Sequence, residues 1–200
     1  MAAHIAFEEA GAPVEIVPVL LSKRENRSPA YLAVHPRGLV PVLDIDGERL
    51  TEVAAILLHV ARRWPSSALL PPAGSIEDAR VLEWIAWLTN TLHVAYAGLW
   101  RPGRFVADKG AAAAIAAEAP GRIDTLNREI ESRFGNGRPF AAGENHTLAD
   151  PFLLVFYRWA NQIGLEAPTR YPAWTAWARR MERRPAVIRV LAREGVSLWG

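Results

Sequence analysis

The sequence contains no cysteine and only two lysines among its 200 residues. The first absence excludes disulfide staples, thiolate metal sites, CxxC redox motifs and a cysteine nucleophile within this chain. The second reconciles a formal charge of +2 with a pI near 9.3. The remaining cations are arginines, almost nothing titrates just above neutral pH, and a small arginine excess carries the pI upward. So small a net charge projects little long-range field, and no nucleic-acid partner is expected. No apolar run reaches the roughly 18 residues of a spanning helix, so no membrane association is expected either. Walker, GxGxxG, GxSxG and HExxH patterns are missing, which argues against nucleotide, serine-hydrolase and zinc-protease chemistry. No two histidines have metal-ligand spacing, and no metal is expected. Met1–Gly11 carries Glu8 and Glu9 and no basic start, unlike a secretory signal, so a cytoplasmic protein is expected.

What is present is apolar bulk. Half the residues are hydrophobic and the mean hydropathy is +0.03, enough for a sizeable core. A mass of 22.1 kDa suits one large domain or two small ones. The chain changes character near residues 64–75. Before that, Ala2–Ala10 reads as a helix stopped by Gly11 and Pro13, and Val14–Leu21 as a buried strand. Val42–Ile45 and Glu48–Leu50 flank Asp46-Gly47, a hairpin signal, because a type I′ turn needs positive φ at both central residues. Glu52–Arg63 reads as a second helix with Val53, Ile56, Leu57 and Val60 on one face and Thr51 as its cap.

After the proline-rich linker Ser66–Ser75, nearly everything has helical period. Trp84, Ile85, Leu88 and Leu92 form one face, and Ile123, Leu126, Ile130 and Phe134 another. Leu148, Phe152, Val155, Trp159 and Ile163 form a third, and Tyr171–Met181 and Ala186–Arg193 are shorter helices. Pro120-Gly121 is expected to break or kink the helix that the run Ala111–Ala117 starts, with a new start near Pro120. The arginines at 179, 180, 183 and 184 read as a solvated cluster that complements a helix end. The fold class is therefore α/β plus all-α: an α/β domain over about 1–65 and a helical bundle over about 76–200.

The most informative segment is His35-Pro36-Arg37-Gly38-Leu39-Val40-Pro41-Val42-Leu43, followed by Leu50-Thr51-Glu52-Val53-Ala54-Ala55-Ile56. It resembles the glutathione-binding half of the glutathione S-transferase superfamily: a Pro-x-Gly-x-Val-Pro loop, a hairpin and a Leu-Ser/Thr-Glu helix start. Leu92-His93 with Leu99-Trp100-Arg101-Pro102 resembles the bacterial beta-like subgroup, and Thr147-Leu148-Ala149-Asp150 the motif that opens the family's central buried helix. The resemblance spans essentially the whole chain. It implies a thioredoxin-like N-terminal domain, a helical C-terminal domain, glutathione as co-substrate with no tightly bound cofactor, small electrophiles as second substrates, and a homodimer.

Residue by residue, the resemblance implies a cis Val40–Pro41 bond, with Leu39, Val40 and Pro41 presenting backbone to glutathione. From the residues alone, Pro41 is an ordinary strand-entry proline with a trans bond, since only about 5–6% of X-Pro bonds are cis. Glu52 and the N–H of Val53 open a helix whose N-terminal charge suits a carboxylate, although Val53 lacks the serine hydroxyl usual in the family. The other reading of Glu52 is that it only improves the first helical turn. Lys23 and Arg24 stand where relatives carry a basic residue near the glycyl carboxylate, or are solvated loop charges. His93 resembles the histidine at the mouth of the active site, and Asn90, Trp100 and Arg101 are placed on the hydrophobic-substrate side. Thr147 and Asp150 have capping-box spacing and a structural role, with Pro151 at the fourth helical position.

Met1-Ala2-Ala3-His4-Ile5 already resembles the interior of the family's first helix. The strand that precedes it, and the tyrosine, serine or cysteine that activates the thiol, are not in this sequence. Three explanations are open. The start lies downstream of the true one, which is preferred because the binding half is well kept. Alternatively, His93 or a water stabilises the thiolate, or the chain binds glutathione or an apolar ligand without turnover.

Overall fold

The computed structural model describes residues 1–200. The first helix, α1 (Ala2–Glu9), buries Ala2, His4, Ile5, Ala6 and Phe7. It ends where Gly11, at φ +59, lets its own N–H reach Glu8 and the Ala12 N–H reach Phe7, so the last carbonyls are paired. The strand expected at Val14–Leu21 does not form. The segment has no regular structure up to the 3₁₀ turn that begins at Leu21, the only ladder in the chain joins two other strands, and Val17, Leu20 and Leu21 remain exposed. β-branched residues favour extended backbone; without a neighbour to take its N–H and C=O groups, that backbone is not a sheet.

Helix α2 (Pro29–Val34) is capped by Ser28, whose Oγ accepts from the Tyr31 N–H at 3.2 Å. The expected hairpin then follows, β1 (Val42–Ile45) antiparallel to β2 (Glu48–Thr51), with Asp46 and Gly47 at φ 54 and 90 in the turn. Helix α3 is Val53–Arg63 and buries Ile56, Leu57 and Val60 as its periodicity requires. Its capping differs from expectation. Thr51 is still in the ladder, paired with Val42, so Glu52 occupies the cap position and no side chain caps the helix.

In the helical half, α4 (Ile76–Trp87), a π-helical turn (Leu88–Leu92) and α5 (His93–Trp100) run on with helical dihedrals through both junctions and form one rod. Trp84, Ile85, Leu88 and Leu92 are its buried face. Helix α6 (Lys109–Gly135) continues through Pro120, against the expected break. A proline inside a helix costs about 3 kcal/mol. Residues on both sides of it are anchored: Ala119 packs near Gly98 of α5, and Ile123 and Ile130 are fully buried. Each buried isoleucine contributes about 1.5–3 kcal/mol, which outweighs the local cost.

Helix α7 (Ala149–Gln162) is the central element, buried around most of its circumference. It is followed by α8 (Ala167–Arg170), α9 (Pro172–Glu182) and α10 (Pro185–Glu194). Phe156 and Tyr157 on α7, and Tyr171, Trp174 and Trp177 from the segments after it, are fully buried. Helix α1 packs on α3, α7 and α10, which fastens the N-terminal part to the bundle. In the arginine cluster Arg179, Arg180 and Arg183 are exposed, as the solvated reading expects, and Arg184 departs from it. Arg184 grips Glu9 with two hydrogen bonds of 2.6 and 2.9 Å, Arg180 donates to the Pro139 carbonyl, and Arg179 lies over the Trp199 ring.

Asp150 is completely buried and accepts from the Ala141 N–H (2.8 Å), the Thr147 N–H (2.9 Å) and the Trp177 Nε1–H (3.1 Å). The capping box is thus half-formed. The Thr147 hydroxyl also turns to the carboxylate, at 3.4 Å, while the Asp150 N–H goes to the Thr147 carbonyl. Pro151 is the third helical residue, not the fourth, where its missing N–H is one that a helix leaves unpaired anyway. Burial pushes the Asp150 carboxyl up to about 6, and the converging donors hold it back from rising further. Asp150→Ala leaves four buried donors without an acceptor; a loss of about 3–5 kcal/mol in urea unfolding is expected.

His146 packs edge-on against Phe140, and burial, then the Arg184 charge, push its pKa down to about 4, partly offset by Glu9. The unfolded chain takes up this proton near 6.5 and the folded chain only near 4, so stability is lost as pH falls through that window, by up to about 3 kcal/mol. Asp150 acts in the opposite sense, since its folded form protonates first. His146→Phe removes the first effect alone. Its stability relative to the parent protein is therefore expected to rise as pH falls from neutral to about 4.5, measured by urea unfolding at each pH.

Candidate functional site

The loop before β1 is held from below by three side chains. Asn26 Nδ2 donates to the Gly38 carbonyl at 2.8 Å, Arg27 Nη1 to the Arg37 carbonyl at 3.3 Å, and the Tyr31 hydroxyl to the Leu39 carbonyl at 2.6 Å. Gly38 is needed for this closeness: its φ is +62, and a Cβ there would lie 2.7 Å from the Asn26 carbonyl oxygen. With three consecutive carbonyls taken, the next residue is presented outward. Val40 is 42% exposed, its peptide bond to Pro41 is cis, and its N–H and C=O make no hydrogen bond within the chain.

Beside this open peptide unit is the start of α3. Its first N–H groups, from Val53 to Ala55, have no partner, and the first helical bond is Ile56 N–H to the Glu52 carbonyl. Glu52 sits at φ 69, ψ 120, a conformation costing about 1–3 kcal/mol for a residue with a side chain. Arg37 ties loop to helix, with Nη2 3.0 Å from Glu52 Oε1 and 3.3 Å from Thr51 Oγ1. Both partners of that ion pair are well exposed, so it orients more than it stabilises. Lys23 and Arg24 are exposed on the turn after the extended segment and have no ion-pair partner.

The other wall is aromatic. His93 stacks on Trp159 with centroids 5.6 Å apart, and Trp159 meets Trp100 at 4.9 Å and Phe156 at 5.1 Å. His93 and Trp100 lie two turns apart on one face of α5; Trp100 is 42% exposed, while Asn90 is exposed on the π-helical turn. Burial lowers the His93 pKa, the Arg101 and Arg104 charges lower it further, and Glu52 opposes them. At neutral pH the imidazole is therefore uncharged. The fold thus brings His93 within the field of Glu52, from the opposite half of the chain. An open backbone unit, a free helix N-terminus and an aromatic wall suit a peptide carrying a carboxylate beside an apolar partner.

Comparison with known proteins agrees with this geometry. The family description "Glutathione S-transferase, N-terminal domain" matches residues 1–63, and "Glutathione S-transferase, C-terminal domain" matches residues 104–185. The chain is 30% identical to the glutathione S-transferase GstA of Escherichia coli O157:H7 over 98% of this chain and 94% of that one. The chain belongs to the glutathione S-transferase superfamily. A glutathione transferase homolog from Sulfitobacter, with bound glutathione, superposes with a TM-score of 0.89 at 32% identity, covering 98% of this chain and 93% of that one. A bacterial beta class glutathione S-transferase from Sphingomonas chungbukensis gives 0.83 at 32% identity, covering 98% and 94%. The architecture is accordingly a thioredoxin-like N-terminal domain with a small antiparallel sheet and a helical C-terminal domain.

Asn26, Tyr31 and Arg37 escaped the sequence reading because their roles are contacts across loops that no spacing announces. Arg27 and Arg104 escaped it as ordinary surface arginines. The electrostatics of the site are testable directly. NMR titration of His93 is expected to give a pKa below 6.5, moved upward by Arg104→Gln, which removes a positive neighbour, and further downward by Glu52→Gln.

Proposed function

We propose that this protein conjugates glutathione to electrophilic, mostly apolar small molecules, as a beta-like enzyme working in the cytoplasm as a homodimer. Glutathione-transferase function is supported by full-length similarity to relatives bearing that name. The observation that carries the finer reading is the unpaired Val40 peptide unit beside the unpaired N–H groups opening α3. In this reading residues 1–65 bind the peptide and 76–200 receive the electrophile. Val40 pairs its N–H and C=O with the cysteinyl residue, between Leu39 and Pro41. The N–H of Val53 takes the γ-glutamyl carboxylate, Glu52 takes the ammonium, and Lys23 and Arg24 stand toward the glycyl carboxylate.

His93 flanks the sulfur, and Trp100, Arg101 and Asn90 border the electrophile. The uncharged imidazole at His93 donates an N–H to a thiolate at no electrostatic cost to itself. The same guanidinium charges that disfavour an imidazolium favour an anionic sulfur. In this reading glutathione is a co-substrate and no tightly bound cofactor is invoked.

Retention on immobilised glutathione together with conjugation of chlorodinitrobenzene tests the proposal. Retention without conjugation would instead establish a non-catalytic glutathione-binding protein of the same fold. Glu52→Ala is expected to raise the Kd for glutathione about tenfold or more, as loss of a charge-assisted contact does, while its melting temperature stays within a few degrees of the parent. A large fall in melting temperature with unchanged affinity would assign Glu52 to the helix start alone.

A further inference from the structure

Arg101 closes α5 and donates its backbone N–H to Ala97 at 2.8 Å. Its side chain is half-buried, yet its guanidinium has no hydrogen-bond acceptor and no carboxylate partner anywhere in the chain. This sets it apart from arginines of similar burial. Arg184 is bonded twice to Glu9, and Arg158 to the Ser197 carbonyl and Gln162. One 3₁₀ turn further on, Arg104 donates its N–H to the Arg101 carbonyl, and its guanidinium is also unpartnered. Arg27 adds a third positive charge from the N-terminal domain, and together with Arg104 it opposes the charge on Arg101, which burial disfavours first. Glu52, the carboxylate whose charge reaches this region, is held by Arg37 at 3.0 Å.

A half-buried guanidinium with like charges beside it and no counter-ion of its own is stabilised by an anion that reaches it, and the exposed Arg104 is free to share that anion. Trp100, the residue before Arg101, is 42% exposed and meets Trp159 edge-to-face at 4.9 Å, so aromatic surface adjoins Arg101 in the chain. We propose that Arg101 and Arg104 bind an anionic substituent, a carboxylate or sulfonate, on an aromatic second substrate, so that the electrophiles this protein prefers are aryl anions. The inference rests on the transferase reading above and refines its substrate class. In the reaction, the glutathione sulfur forms a bond to the ring carbon bearing a halide, the halide leaves with the bonding pair, and the thiol proton passes to water. The ring's anionic group is unchanged and serves only to orient it. Arginine suits this role because its planar fork can take both oxygens of a carboxylate while a ring stacks alongside.

The test compares kcat/KM for chlorodinitrobenzoate with that for the uncharged chlorodinitrobenzene at saturating glutathione. In Arg101→Gln the benzoate-to-neutral ratio is expected to fall about tenfold, and in Arg104→Gln several-fold, as for loss of a charge-assisted hydrogen bond. Arg128→Gln, which removes an arginine paired with Asp124 on α6, should leave the ratio unchanged. An unchanged ratio in both site variants overturns the proposal. So does a raised KM for glutathione with no change in ratio, which would mean that the arginines serve a carboxylate of the peptide. If the parent protein conjugates neither compound, the transferase reading fails separately. Binding of anilinonaphthalene sulfonate, followed by tryptophan quenching, then decides: a Kd raised about tenfold in Arg101→Gln upholds the anion site, and an unchanged Kd rejects it.

Discussion

A single buried carboxylate organises the helical half. Asp150 draws donors from the turn at Ala141, from Thr147 just before α7 and from a tryptophan on α9, so three segments that are distant in sequence share one anion. Its burial has a cost, visible in a carboxyl pushed up to about 6, yet it remains ionised at neutral pH because every near neighbour is a donor. Fixing the start of α7 sets the direction of the whole helix. Phe156 and Trp159 lie about two and about three turns further on; His93 stacks on Trp159 and meets Phe156 edge-on, and Trp100 meets Trp159 edge-on. The aromatic wall of the site is thus positioned by a residue that never approaches it.

The N-terminal domain reaches the same end by a different device. It has little core of its own, and its sheet is a single hairpin. Order at the loop comes instead from carbonyls. Three in succession, from Arg37 to Leu39, are occupied by side chains of Arg27, Asn26 and Tyr31. Protein backbone seldom leaves polar groups unpaired unless water or a ligand takes them. The point at which the pairing stops, Val40, is therefore informative, as is the strained backbone of Glu52 opposite it. Strain and open valences cluster in the few residues that the family resemblance also singles out.

How much of this the sequence discloses depends on the range of the interaction. The Asp46-Gly47 turn, the face of α3 and the buried stripe of α4 are local patterns, and each is found where its period places it. Pro120 misleads because its local cost is real but smaller than the packing on either side of it. Val14–Leu21 misleads for the converse reason: its composition is that of a strand, while a strand exists only with a neighbour. The family motifs single out Val40, Glu52 and His93 as candidates, whereas the clasp that holds the loop and the charges around Arg101 are contacts between segments, invisible to spacing. Arg184 reads as one member of a solvated run, and only the fold supplies Glu9 as its partner.

The scarcity of lysine acquires meaning at the site. Arg101 and Arg104 act on His93, Arg27 acts on Arg101, and Arg37 is paired with Glu52, and no lysine is among these groups. A lysine can relieve crowding with other cations by losing its proton, but arginine cannot, so a cluster of guanidiniums keeps its charge even when half-buried. That permanence has opposite effects on the two species it faces. It adds to the effect of burial in disfavouring charge on the neighbouring imidazole, and it lowers the energy of any anion that enters, whether a sulfur or a carboxylate. A chain of small net charge can therefore gather several guanidiniums near one histidine, while other arginines pair with carboxylates elsewhere in the fold.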